Sequence, residues 1–258
     1  MTQEDIESTK APLITHLTEL RSRLIKAVVA LVIAAVACFF VSDQIFNILL
    51  YPYERAAGNV ADLKLIYTAP QEYLFTQFKI ALFGGLFITF PIIAGQIYMF
   101  VAPGLYRNER RAFLPYLFAT PVLFLTGAAL VYFLIMPLAM RFFLGMEQVG
   151  TAEQAAIQLL PRVSEYLKLI MTLIFAFGLC FQLPVVLTLM ARAGLTTAAG
   201  LKKKRKYAVV GVFAMAAFLT PPDPVSQIGL AVPTLLLYEL SILSVSWVEK
   251  RRRDEAGD

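Results

Sequence analysis

Charged side chains are scarce in this 258-residue chain. Only 16% of its residues are Asp, Glu, Lys or Arg, against about 25% in a typical soluble domain. The hydrophobic set makes up 59% of the chain. A soluble globule and a disordered chain are both excluded, because neither could carry this much apolar surface in water. The composition indicates a polytopic α-helical membrane protein.

Histidine and cysteine are nearly absent as well. The only histidine, His16, precedes the first apolar run, whereas an intramembrane protease of the metal or Ser–His type needs histidine at membrane depth. The two cysteines, Cys38 and Cys180, fall in apolar runs and are interpreted as small core residues rather than a disulfide. The sequence contains no G-x-x-x-x-G-K-S/T loop and no Cys/His cluster with metal-ligand spacing. We therefore predict no catalytic residue, no metal and no cofactor.

Runs without charge predict six membrane spans. Crossing the hydrocarbon core takes about 20 helical residues, and three of the runs clearly exceed that length. Pro221, Pro222 and Pro224 must form a turn, since three prolines cannot continue a helix. We predict one membrane domain over 1–258, with a cytoplasmic tail at 248–258. Its predicted spans are 24–42, 73–102, 112–140, 165–191, 207–220 and 226–247.

The basic residues predict the orientation. Six spans place both termini on one side, together with 17 of the 23 Lys and Arg residues. The positive-inside rule assigns that side to the cytoplasm. The run Lys202–Lys206 is interpreted as a topology anchor beside acidic lipid, in preference to a nucleic-acid site. Prolines within the spans predict bent helices and, from these, a curved and grooved molecule.

Two acidic residues stand out near the predicted cytoplasmic surface. Residues 12–24 have helical periodicity, and Glu19 lies four residues before Arg23 in the order that favours an ion pair. Glu109 is the only acid in the loop between the second and third spans. Each carboxylate has two readings: it neutralises neighbouring arginines, or it is presented to a ligand.

Four segments resemble the TatC family, the multispanning subunit of the twin-arginine protein translocase. The resemblance implies an all-α fold with six transmembrane helices, a concave, glove-like shape and short fifth and sixth helices. It also implies a multi-pass protein of the bacterial cytoplasmic (inner) membrane without catalysis of its own. The matching segments are HLTELRSR at 16–23, FVAPGLYRNERR at 100–111, FGLCFQLP at 177–184 and LTPPDPVSQ at 219–227.

The resemblance implies a receptor for signal peptides that carry paired arginines. Glu19 and Glu109 would bind the two arginines, and Phe100 would help to shape the site. Arg21 and Arg23 would orient the glutamates or set the surface potential. Carboxylates suit this task because a guanidinium binds them bidentately and stays charged.

Further positions and partners follow from the same resemblance. Gln182 and Glu239 also lie in or near predicted spans, where a polar side chain is a functional hypothesis, and Gln182 stands where many relatives have glutamate. Both are expected, with Gln227, to make polar or partner contacts, and interhelical hydrogen bonding is the alternative for Gln182. For Glu239, partial hydration at a helix end is an equal alternative. Pro52 and Asp223 match extracytoplasmic positions, with a loop kink and a helix cap as the alternative readings. The implied partners are TatA- and TatB-like single-span proteins, signal peptides of folded cargo and membrane lipid, in an oligomeric complex driven by the proton-motive force and without nucleic acid.

Two other function classes compete with this reading. A small-solute secondary transporter is expected to show an internal repeat and broken helices in matching halves, and no repeat is found. An intramembrane enzyme is opposed by the lack of histidine within the spans.

Overall fold

Helices dominate the computed structural model, which describes residues 3–58, 65–105, 110–148, 159–220 and 223–256. Helix is the structure that hydrocarbon favours, because each backbone polar group must find its partner within the segment. Over these residues no strand forms, and an isolated bridge joins the extended backbone of Ile66 and Arg162. The all-α prediction is confirmed. The helices are α1 (Gln3–Phe40), α2 (Ser42–Ala57), α3 (Pro70–Leu105), α4 (Arg110–Leu130), α5 (Met136–Leu144), α6 (Val163–Cys180), α7 (Leu183–Arg192), α8 (Ala198–Lys203), α9 (Arg205–Leu219) and α10 (Pro224–Ala256), with a π-helical segment, Val131–Ile135, between α4 and α5.

Five helical stretches in the described parts of the chain are long and apolar enough to cross a membrane. The predicted fifth span falls on α9, which has only 15 residues and is shorter than the roughly 17–25 residues that a crossing takes. The count of six spans therefore stays a prediction. The five stretches are His16–Phe40, Pro70–Phe100, Pro115–Leu144, Val163–Arg192 and Pro224–Arg251.

The helix after the proline turn corrects one expectation. The resemblance implies short fifth and sixth helices, but α10 has 33 residues and reaches Ala256. Glu239 interrupts the apolar run without interrupting the helix, because its carboxylate forms an ion pair with Arg205 at an exposed position. The charged residues after Trp247 then continue the helix beyond the apolar run. The expectation is right for α9 and wrong for α10.

The segment after the first span is a helix rather than a loop. In α2, Asp43 lies in the first turn and Arg55 in the last. The helix dipole favours an acid at the first position and a base at the second. Pro52 lies inside α2 and is buried, so the reading of Pro52 as a loop kink was wrong. A proline has no N–H, so the carbonyl of Ile48 loses its helical partner. The hydroxyl of Tyr132 donates to that carbonyl at 2.8 Å and thereby offsets the loss.

Removal of this hydroxyl is expected to destabilise the protein. The variant Tyr132→Phe leaves the Ile48 carbonyl without its donor, and a lost hydrogen bond of this kind costs about 1 kcal/mol. Thermal unfolding in detergent should show a lower Tm than in the matched variant Tyr207→Phe, whose ring is 67% exposed. Equal Tm values for the two variants would contradict the role assigned to Tyr132.

Two prolines interrupt predicted spans. Pro137 cannot donate to the carbonyl of Phe133, and the backbone widens here into the π-helical segment, where the N–H of Met136 donates to the carbonyl of Val131. Pro184 follows the break between α6 and α7, within the first two positions of α7. The helical hydrogen-bond pattern is interrupted at these two positions, and the bending of the helices stays a prediction. Other span prolines lie inside helices that continue: Pro91, Pro115, Pro121 and Pro233.

The chain divides into two compact units. The first comprises Met1–Ser42 and Phe78–Pro121, and the second comprises Asp43–Gln77 and Val122–Asp258. In the first unit α1 and α3 approach closely, since a β-carbon on Gly85 would lie 2.8 Å from the backbone nitrogen of Ala35. In the second unit a β-carbon on Gly127 would lie 2.8 Å from the carbonyl oxygen of Phe177. Small residues at helix contacts are typical of membrane proteins.

The prediction of a single domain over 1–258 stays a prediction.

Candidate functional site

The long helix α1 presents Glu19 near its membrane-spanning part. Both Nε and Nη2 of Arg23 donate to Oε1 of Glu19, at 3.0 and 2.5 Å. The predicted i,i+4 ion pair is thus present. The Glu19 side chain nevertheless stays 34% exposed and that of Arg23 21%. The carboxylate is therefore oriented by its partner and open to a ligand.

An aromatic contact adds a second element to this surface. The ring of Phe100, five residues before the end of α3, stacks on His16 with centroids 4.3 Å apart and planes inclined by 20°. His16 lies three residues before Glu19, so the two side chains share one face of α1. We call His16, Glu19, Arg23 and Phe100 the Glu19 face. All four belong to the first compact unit.

Sequence reasoning did not assign His16 to this surface. The residue counted only as evidence against catalysis, because a single histidine outside the spans cannot serve an intramembrane protease. Its spacing of three from Glu19 was the available signal, since residues three apart are neighbours on a helix. The partner ring, Phe100, is 84 positions away in the chain, and no local pattern indicates that contact.

Two other residues predicted for this site, Arg21 and Glu109, are not placed at the Glu19 carboxylate by the structure. Arg21 is exposed and lies two residues from Glu19, so it points to another side of α1. The structure therefore brings Arg23, but not Arg21, to the Glu19 carboxylate. Glu109 lies outside the described residues, in the sequence between the end of α3 and the start of α4.

The remaining predicted residues lie in the second compact unit, away from the residues of the Glu19 face in the chain. Gln182 is buried between α6 and α7, and its Nε2 donates to the carbonyl of Gly178 at 3.4 Å. The buried carboxylate of Asp223 accepts from the backbone N–H of Ser226 at 2.7 Å. This bond is the helix cap that was the alternative reading of Asp223. Gln227 is half-buried, and its backbone N–H donates to the carbonyl of Asp223 at 3.2 Å.

The carboxylate of Glu239 belongs to an ion pair and is not an isolated polar group. Nη2 of Arg205 donates to its Oε2 at 2.5 Å. The side chains of Arg205 and Glu239 are 52% and 48% exposed. This arrangement favours the reading of Glu239 as a partly hydrated residue over that of a buried functional acid.

Comparison with known proteins gives one family throughout. The family model "TatC: Sec-independent protein translocase protein (TatC)" matches residues 15–233. A relative named Sec-independent protein translocase protein TatC from Magnetococcus marinus is 46% identical, over 97% of this chain and 89% of the relative. The protein of the same name from Rickettsia prowazekii is 41% identical, over 92% and 93%, and that from Escherichia coli K12 is 34% identical, over 97% and 94%.

Solved structures agree with the sequence relatives. A crystal structure described as the twin arginine translocase receptor TatC aligns with a TM-score of 0.75 at 38% identity, over 89% of this chain and 97% of that one. A second, described as the same receptor in DDM, aligns with a TM-score of 0.78 at 37% identity, over 90% and 99%. The chain therefore belongs to the TatC family, the multi-pass membrane components of the Sec-independent, or twin-arginine, protein translocase.

Proposed function

We propose that the Glu19 face is the part of this translocase receptor that binds the paired arginines of signal peptides. The single observation that carries the proposal is the stacking of Phe100 on His16. Through this contact the end of α3 lies beside the helix face that presents the accessible carboxylate of Glu19. An acid and an aromatic ring next to each other suit a guanidinium, which binds the carboxylate bidentately and stacks on the ring.

The local charge makes the acid selective. Arg21, Arg23 and Lys26 follow Glu19 closely in the sequence, so an ordinary basic peptide meets repulsion as it approaches. A ligand must offset this repulsion through good hydrogen-bond geometry at the carboxylate. Cationic peptides that cannot form such hydrogen bonds are therefore disfavoured. Arg23 already uses Oε1 of Glu19. A carboxylate has about four lone-pair positions, so it can accept from a second guanidinium as well.

A second carboxylate would complete the recognition of two arginines. Glu109 follows Phe100 by nine residues, in the segment that joins α3 to α4. The position of Phe100 against α1 supports Glu109 as that second acid. Two separated acids on a basic surface favour a doubly cationic motif of matching spacing over single cations.

The wider assignment follows the family. Membership implies a complex with other translocase subunits, and we propose TatA- and TatB-like single-span proteins as those partners. Gln182 and Gln227 are proposed as polar or partner contacts within the membrane region, and Glu239 as such a contact at its hydrated cytoplasmic end. We place the protein in the bacterial cytoplasmic membrane, in an oligomeric receptor complex without catalysis of its own, where the proton-motive force drives export of folded cargo.

Peptide binding to the purified protein tests this function. A fluorescent signal peptide with two arginines should bind in detergent solution at least about tenfold more tightly than the same peptide with two lysines, because lysine cannot form the bidentate contact. Fluorescence anisotropy measures both affinities. A peptide with the paired residues changed to glutamine gives the background. Equal affinities for the arginine and lysine peptides would contradict recognition through the carboxylates.

A further inference from the structure

A dense group of cations lies where α8 meets α9. Five consecutive residues are basic, and all five are exposed. Lys202 and Lys203 end α8, Lys204 stands between the helices, and α9 begins with Arg205. We call the run Lys202–Lys206 the basic rim. By the positive-inside rule this end of the second compact unit faces the cytoplasm.

The short helix under the basic rim is firmly held. Its first residue, Ala198, donates its backbone N–H to Oε1 of Glu249 at 3.0 Å. The hydroxyl of Tyr238 donates to the carbonyl of Leu201 at 2.9 Å. Ala198 and Leu201 are also buried in one apolar cluster with residues of α10. The cations therefore stand on a fixed platform rather than on a loose loop.

Two acids lie near the basic rim, and one of them, Glu249, binds the start of α8. Arg205 pairs with Glu239, and Nζ of Lys206 lies over the ring of Tyr207 at 5.1 Å. Among the residues that the structure describes, Lys202, Lys203 and Lys204 have no acidic partner. The first turn of α9 contains no acid, although cations at a helix start are unfavourable. An anion from outside the chain would offset this repulsion.

Exposed aromatic rings indicate the depth of this surface in the bilayer. Tyr207 is 67% exposed and Trp247 is 63% exposed. Cζ of Arg251 lies 5.7 Å from the centroid of the Trp247 ring. Exposed Trp and Tyr at the ends of spanning helices occupy the headgroup region of a membrane. The basic rim therefore lies at the level of lipid phosphates and not far out in solution.

We propose that the basic rim, with Tyr207 directly after it, is a binding site for anionic phospholipid of the cytoplasmic leaflet. Neighbouring cationic side chains on a fixed surface at headgroup depth bind a lipid phosphate through charge-assisted hydrogen bonds. The site is distinct from the role of these residues in orientation, because it holds individual lipids on the folded protein. It does not depend on the function proposed for the Glu19 face.

Lipid binding by the purified protein tests the proposal. Protein purified in a neutral detergent is titrated with phosphatidylglycerol or with phosphatidylcholine, and bound lipid is counted by native mass spectrometry. The wild type should bind phosphatidylglycerol preferentially. The triple variant K202Q/K203Q/K204Q should bind it about tenfold or more weakly, since each cation near a lipid surface contributes on the order of a factor of five.

Two further variants keep the result interpretable. R55Q/R141Q/K168Q removes three exposed cations elsewhere in the second unit and should retain wild-type binding. K202R/K203R/K204R keeps the charge and should also retain it, with the same Tm as the wild type when no lipid is added. Because loss of cytoplasmic cations can invert a membrane protein, the glutamine variant is compared only after protease accessibility shows the wild-type orientation.

Three results would overturn the proposal. The wild type could bind phosphatidylglycerol and phosphatidylcholine equally. The two glutamine variants could lose the same affinity, which would leave net charge as the cause. A soluble polyanion such as heparin could bind the basic rim without competition from phosphatidylglycerol vesicles, which would point to a soluble acidic partner instead.

Discussion

A protein with Glu19→Gln is expected to lose most of its affinity for a twin-arginine peptide. The amide keeps the shape of the side chain but has no charge and one fewer acceptor oxygen. A hydrogen bond to a charged group contributes about 1.5–3 kcal/mol, so affinity should fall roughly tenfold to a hundredfold. Glu109→Gln should weaken binding in the same direction if both acids contact the arginines.

This loss should occur without unfolding. The Glu19–Arg23 pair is partly exposed and lies on one helix, where such a pair contributes only about 0.3–0.5 kcal/mol. Glu239→Gln is the matched control, because it also removes a partly exposed carboxylate paired with an arginine. Anisotropy titration and thermal unfolding of both variants separate binding from stability. Equal loss of peptide affinity in both variants would remove Glu19 from the site.

Gly127→Ala is expected to cause the largest loss of stability among conservative substitutions. The new β-carbon would lie 2.8 Å from the carbonyl oxygen of Phe177 and 3.0 Å from Cγ of Phe181. A backbone oxygen cannot rotate away, so α4 and α6 must separate. Overpacking of this kind costs about 1–3 kcal/mol. Gly178→Ala, at the same contact, would place a methyl group against the buried ring of Phe124.

Gly211→Ala provides the control for both substitutions. Gly211 lies within α9, and a β-carbon there meets no atom within 4 Å. Alanine should be neutral or stabilising at this position, by up to about 1 kcal/mol, since it is the better helix former. Equilibrium unfolding in mixed detergent micelles measures the three variants. A Gly127→Ala protein as stable as the Gly211→Ala protein would contradict the close approach of α4 and α6.

The sequence predicts the membrane helices well because hydrocarbon excludes charge. It predicts their ends poorly, since a helix can continue into water once it has begun. The acid Glu239 and the charged residues after Trp247 mark the end of an apolar run, yet α10 continues through both. At Pro52 the sequence predicts a loop kink, yet α2 continues through the proline. The reason is that the hydroxyl of Tyr132, from a distant part of the chain, donates to the carbonyl that the proline leaves free.

The same distinction separates the predictable and unpredictable parts of the Glu19 face. The pairing of Glu19 with Arg23 follows from their spacing on one helix, which is local information. The stacking of His16 on Phe100 depends on how α1 packs against α3. Packing is set by small residues such as Gly85 at the crossing point, and sequence periodicity does not identify the partner of such a residue.

The continuity of α1 has a mechanical consequence. No proline or glycine occurs between His16 and Phe40, so the helix has no hinge there. Glu19 and Phe40 are about 31 Å apart along the axis, and a tilt of about 10° around the Glu19 end shifts Phe40 by about 5 Å. If a signal peptide binds at Glu19 as proposed, a small tilt of α1 at that end would therefore displace the residues at the other end of the same helix by several ångströms.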